Sequence, residues 1–240
     1  MTFTAQTKIG DIVLEMPATM RVFEEMNIDY CCGGQRSLAD ACAHGGKELE
    51  AVLARLKVVQ TSASAPSDPK QWQEATLVDL IAHIEAKHHT FTRTELDRVA
   101  PLMAKVLNVH GDHHPELARI AQCFEAMYVD LVPHLDKEEQ ILFPFIRNLE
   151  AGRAQGGSCF GSIQNPIRAM QNEHEQVGDI LRELRTLTGD YTPPADACGS
   201  YRSLFLGLRS LEEDLHLHIY LESHLLFPRA VELEEAVTHS

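Results

Sequence analysis

Long apolar runs are missing from this 240-residue chain. No stretch approaches the about 18 apolar residues of a membrane-crossing helix, so no span is expected. Basic residues are scarce too: 21 Lys and Arg stand against 35 Asp and Glu, for a formal charge of −14. They form no block. So acidic a surface repels phosphate backbones and anionic lipid, which excludes nucleic acid and membrane partners. The start, Met1-Thr2-Phe3-Thr4-Ala5-Gln6-Thr7-Lys8, lacks a basic stretch followed by an apolar one, so no export signal is read. The six cysteines, Cys31, Cys32, Cys42, Cys123, Cys159 and Cys198, are scattered except for one adjacent pair. Without an export signal they imply reduced thiols and a cytoplasmic protein. No Cys-x-x-Cys pair exists to build a thiolate zinc site. No segment alternates apolar and polar residues, so the fold class expected is all-α.

Histidine is abundant: thirteen, against five tyrosines and one tryptophan. Residues 1–60 read as a small helical unit. Pro17 suits the first position of a helix to Met26, and Cys31-Cys32-Gly33-Gly34 breaks into a loop. Ser37 with Asp40 reads as an N-cap. Leu49, Val52, Leu53 and Leu56 mark a further amphipathic helix. Residues 61–70, rich in Ser, Ala and Pro, read as a linker. Residues 71–240 then spell four long helices: about 75 into the nineties, with Pro101 bending or restarting the chain, 115–149, 166–187, and a last one through Leu204, Leu208, Leu211 and Leu215. Short connections between them predict an antiparallel four-helix bundle.

The apolar stripes of these helices run into histidines and glutamates. Phe124, Met127 and Leu131 continue to His134 and Glu138, then Leu142 and Phe145. His174 sits between Met170 and Val177. Leu211 and Leu215 continue to His218 and Glu222, then Leu225 and Leu226. Steps of three and four keep these groups on the inward face. Two segments repeat one pattern: His134-x-x-x-Glu138 and His218-x-x-x-Glu222, each followed by Leu-Phe-Pro three residues on. A lone core histidine is usually a packing residue. Two matched pairs are not, because two buried carboxylates without a cation cost several kcal/mol each. Imidazole with carboxylate suits iron, manganese or zinc.

The bundle resembles haemerythrin-like di-iron domains. With Asp29-Tyr30-Cys31-Cys32-Gly33-Gly34 ahead of it and Lys137-Glu138-Glu139-Gln140-Ile141-Leu142-Phe143-Pro144 within it, the whole chain is similar to the Repair of Iron Centres family. The resemblance implies a metal set of His89, His110, His134, Glu138, His174, His218 and Glu222. Five imidazoles and two bridging glutamates would hold two non-haem irons, joined by an oxo or hydroxo bridge. The stripe Leu77, Ile81, Ile84, Phe91 favours His88, whereas the resemblance favours His89. His110, 21 residues after His89, would lie about 31 Å away on one straight helix. It joins the same centre only if the chain turns back near Pro101, and His113 and His114 compete with it. Glu173 matches a family acidic residue near the metal access route, which would give it a role in iron or proton movement; by its residues alone it reads equally as an ordinary solvated glutamate. Cys31 and Cys32 are either plain reduced thiols in a turn or a pair for redox exchange, iron handling or client contact. His44, His83, His216, His224 and His239 read as ordinary.

The function the resemblance implies is repair of iron–sulfur clusters damaged by nitrosative or oxidative stress, by iron donation or by nitric oxide reduction at the di-iron centre. The expected partners are damaged iron–sulfur proteins, nitric oxide or oxygen as small ligands, and a second copy in a homodimer. The alternative is a haemerythrin-like oxygen or nitric oxide carrier or sensor. A purely structural metal site is the third reading.

Overall fold

The computed structural model describes residues 3–61, 70–153 and 161–238. All described elements are helical, and isolated bridge residues such as Lys8 and Ser37 build no strand among the described residues. Helices α1 (Ile9–Glu15), α2 (Met20–Glu25), α3 (Leu38–His44) and α4 (Leu49–Thr61) form the N-terminal unit. Pro17 opens a 3₁₀ turn, Pro17–Thr19, rather than α2 itself. Ser37 caps α3 as expected, its hydroxyl accepting from the Asp40 amide. Most of the expected linker lies outside the described residues, as does Cys159.

After a short helix α5 (Lys70–Glu74) come the four bundle helices. Helix α6 runs through Leu77–His83, Ile84–His89 and Thr90–His110. Helix α7 runs through Glu116–Lys137, Glu138–Leu142 and Phe143–Glu150. Helix α8 is Gln164–Leu187. Helix α9 runs through Gly199–Leu221, Glu222–Leu226 and Phe227–Thr238. Side-chain pairings fix their directions. Arg93 meets Asp136 and Arg147 meets Glu85; His134 meets Glu173 and Arg119 meets Glu183; His88 meets Asp214 and His110 meets Cys198. As the number rises on one helix it falls on its neighbour, so the bundle is antiparallel, up-down-up-down.

The middle segments of α6, α7 and α9 are π-turns, each one residue wider than an α-turn. Two of them have a visible cause. Pro144 and Pro228 have no N–H to give four residues back, and their rings would strike the carbonyls of Gln140 and His224. A five-residue turn relieves both. Such bulges collect at functional sites.

Pro101 does not bend the chain back. It lies inside the unbroken Thr90–His110 stretch, on the solvent side, where helix curvature tolerates a lost hydrogen bond.

The core has two parts. One joins Ile9, Ile12, Phe23, Leu38 and Leu56 of the N-terminal unit to Leu77, Phe143, Ile167 and Phe227 of the bundle. The other, with Leu96, Ile120, Leu181 and Leu204, fills the far half of the bundle. Between them lies a layer of buried histidines and glutamates. Arg185 ties the two units: its guanidinium donates to Asn27 Oδ1 at 2.6 Å and to both oxygens of buried Glu212.

Candidate metal centre

Four histidines and two glutamates converge in that layer, all buried: His89 from α6, His134 and Glu138 from α7, His174 from α8, His218 and Glu222 from α9. They make two overlapping groups. His89, Glu138, His218 and Glu222 offer donor atoms within 4.8 Å of one another; so do His134, Glu138, His174 and Glu222. Both glutamates belong to both groups. The four Nε2 atoms face inward. His89 Nε2 lies 3.1 Å from His218 Nε2, and His174 Nε2 lies 3.2 Å from His134 Nε2. Glu222 reaches His218 Nε2 at 3.0 Å and His174 Nε2 at 3.2 Å. Glu138 Oε2 stands 3.4 Å from His134 Nε2 and 3.5 Å from His89 Nε2.

Outer groups aim two of the rings. His89 Nδ1–H donates to Glu139 at 2.7 Å, and Arg93 braces that carboxylate at 3.2 Å. His134 Nδ1–H donates to Glu173 at 2.7 Å, and Lys137 braces that one. A ring donating through Nδ1 presents Nε2 to a cation, and such partners fix ligand orientation. Glu139 was missed in the sequence; its only signal there is an acid next to Glu138. Glu173, 30% exposed at its side chain, therefore touches the centre through His134.

The charges are unbalanced in this cluster. Burial, then the Glu222 charge, push Glu138 up from the usual carboxylate range. Burial alone would also raise Glu222, but His218, His174 and His89 hold it well below that range. Burial would lower His89, yet Glu138 and Glu222 raise it to about 10. Burial and neighbouring His174 drop His134 to about 4. Both oxygens of Glu138, Oε2 of Glu222 and Nδ1 of His174 and His218 have no hydrogen-bond partner. Buried polar atoms are normally satisfied; a carboxylate left so in a core fits a cation as its missing partner.

His110 is not among these groups. The straight α6 carries it to the opposite end of the bundle, where its Nε2 lies 3.3 Å from Cys198 Sγ. His113 and His114 lie at that same end, and His114 is paired with Glu116 and Asp196. His88 is buried beside the cluster but turns its Nδ1 to Asp214 at 3.0 Å. The cluster therefore gathers four imidazoles, one fewer than the resemblance implies.

The cysteine loop lies against this centre. Asp29 Oδ1 accepts the amides of Cys31 and Cys32, and the Cys32 thiol points to the carbonyl of His174 at 3.5 Å. Cys31 is buried, and contact with the Cys32 thiol, then burial, push its own thiol well up. His224, from the Glu222–Leu226 turn, donates from Nε2 to the Cys31 carbonyl at 2.9 Å. It is not an ordinary surface histidine. Gly34 makes that approach feasible: a Cβ there would lie 2.4 Å from the His224 ring and 2.6 Å from the Tyr30 carbonyl.

A four-helix bundle with paired, glutamate-sharing His/Glu groups defines a haemerythrin-type cation-binding protein. Residues 79–230 match the haemerythrin HHE cation-binding domain, and residues 5–60 match the ScdA N-terminal domain, described as a domain of unknown function. The chain is 35% identical to a probable iron–sulfur cluster repair protein of Haemophilus influenzae, over 95% of this chain and 97% of that one. It is 34% identical to the iron–sulfur cluster repair protein YtfE of Dickeya chrysanthemi (93% and 96% covered) and 35% identical to that of Musicola paradisiaca (94% and 96%). The chain belongs to this family of haemerythrin-domain repair proteins.

Proposed function

We propose that the chain holds two iron ions and repairs damaged iron–sulfur clusters by giving up iron to them. One observation carries the reading: both donor groups share Glu138 and Glu222, an arrangement suited to two ions bridged by carboxylates. Imidazole and carboxylate donors suit non-haem iron. When bound there, iron would supply a redox-active and exchangeable centre, and the family resemblance adds an oxo or hydroxo bridge to that expectation. The relatives' names supply the clients, damaged iron–sulfur proteins.

The chain's own residues then divide the work. His89, His134, His174, His218, Glu138 and Glu222 bind. Glu139 and Glu173 orient His89 and His134 and take up the ring protons. Glu173, partly open to solvent and bonded to Lys137, is the place where a proton enters or leaves. Cys32, against the backbone of His174, would offer a thiol beside the centre, and Asp29 holds that loop through the Cys31 and Cys32 amides. The reading places the protein in the cytoplasm beside its clients, with homodimerisation and nitric oxide reduction as further properties carried by the family resemblance. No described helix is long and apolar enough to cross a membrane.

Metal analysis and Mössbauer spectroscopy of anaerobically purified protein test the first half: about two irons per chain with coupled, bridged features are expected. Iron-loaded protein should restore a nitrosylated client enzyme, and Glu138→Ala or Glu222→Ala should not. Restoration by those variants at the wild-type rate would overturn iron donation; one zinc per chain would overturn the centre itself.

A further inference from the structure

At the far end of the bundle stands a second cluster that the metal centre does not use. Cys198 is exposed and immediately precedes α9, with extended backbone (φ −74°, ψ 174°). His110 closes α6, and antiparallel packing sets its Nε2 3.3 Å from the Cys198 sulfur. Tyr201 packs beside the His110 ring, centroids 5.3 Å apart. His114 is engaged on both nitrogens, by Glu116 at 3.1 Å and Asp196 at 3.2 Å, so His110 is the ring that faces the thiol. The pair opens on a cavity of about 330 Å³ that Lys105, Val109 and Ser200 also line. A nucleophile beside a base, over a cavity with a cation in its wall, is the arrangement of a reactive thiol.

We propose that Cys198 and His110 form a reactive-thiol site modified by small anionic disulfides, such as oxidised glutathione. The Cys198 proton passes to His110 Nε2. The sulfur attacks one sulfur of the disulfide, a new S–S bond forms, and the old one breaks. The departing thiolate takes the electron pair and then the proton from His110. Cys198 is oxidised and the leaving sulfur reduced, so no other oxidant is required. Lys105 supplies positive charge for the carboxylates in a chain otherwise strongly acidic.

Of the other described cysteines, Cys32 is half-buried with its thiol turned to the His174 carbonyl, and three more are worse placed. Cys31, Cys42 and Cys123 are buried, and their thiols are pushed up, Cys31 by Cys32 and burial, the other two by burial. The Cys198 thiol goes the other way. The Tyr201 amide, then the His110 ring, bring it to about 7.

The test uses full-length, metal-loaded protein exposed to oxidised glutathione at pH 7, quenched by alkylation and digested with trypsin. The peptide 186–202 carries Cys198 as its one cysteine. Its adduct should form about threefold faster than on the same peptide free in solution, the net of a larger thiolate fraction and a weaker nucleophile. His110→Ala should bring that rate down to the free-peptide value while iron content stays unchanged. His110→Gln replaces it if the alanine variant loses helicity. A rate equal to the free peptide's, a first adduct at Cys32, or no slowing in the His110 variant would each overturn the proposal.

Discussion

Replacing Glu138 by glutamine should stabilise the metal-free protein and abolish the stabilisation that metal brings. In the absence of a cation, Glu138 and Glu222 offer oxygens within 4.8 Å of each other in a fully buried layer. At an effective dielectric constant of about 20, two charges at that separation repel by roughly 3 kcal/mol. Burial and that repulsion raise Glu138. An acid whose folded-state value is raised penalises the folded state above its unfolded value near 4.5, so the penalty is present at neutral pH and relieved in acid. Glutamine keeps the volume, removes the charge, and gives the site an N–H to donate to Glu222. Lost attraction to the surrounding imidazoles offsets part of the gain, leaving about 1–2 kcal/mol. For a chain of this size that raises the melting temperature by about 2–8 °C. Scanning calorimetry at pH 7 on metal-free and iron-loaded forms reads both effects. The iron-loaded wild type should melt higher than its metal-free form, and the variant should show no such gap. A metal-free Glu138→Gln protein that melts below metal-free wild type would refute the reasoning. Glu138 would then be a satisfied member of a core ion-pair network, not a ligand short of its cation.

Three further outcomes follow from neighbouring contacts. Because Glu138 and Glu222 outweigh burial and hold the His89 ring proton up to about 10, a cation must displace that proton at neutral pH. Affinity should therefore rise with pH, by at least roughly tenfold per unit below 10; chelator competition at pH 7 and 8 checks it, and a flat result would remove His89 from the ligand set. Arg185→Met strands the buried Glu212 carboxylate and releases Asn27, so it should cost about 3–5 kcal/mol in urea unfolding; a loss under about 1 kcal/mol would show the network to be idle. Gly34→Ala drives a Cβ into the His224 ring and the Tyr30 carbonyl. It should lower stability by about 1–3 kcal/mol and expose Cys32 to faster alkylation; unchanged alkylation would mean that His224 does not seat the cysteine loop.

What could be read in the sequence depended on whether a turn had a local cause. His134, Glu138, His218 and Glu222 stand on apolar stripes at three- and four-residue steps, and the all-α bundle follows from those same stripes. The docking of the N-terminal unit could not be read this way. It rests on Arg185, His224 and Gly34, which meet partners more than 150 residues distant. His110 failed for a different reason. The expectation that it joins the centre needs a chain reversal at Pro101, but an exposed proline on a solvent-facing curve does not force one.

His88 and His89 show the limit most sharply. Counting an α-helical period from Leu77, Ile81 and Ile84 brings His88 to the inward face, but Ile84–His89 is a π-turn. A five-residue step from Ile84 lands on His89 instead, and His88 is turned aside to Asp214. In α7 and α9 the corresponding turns are announced by Pro144 and Pro228, and their ligands, a histidine before the wide turn and the glutamate that opens it, keep ordinary spacing. In α6 no proline marks the turn, and the ligand comes after it. At this pair, residue spacing and family resemblance part because an unannounced extra residue shifts the helix face.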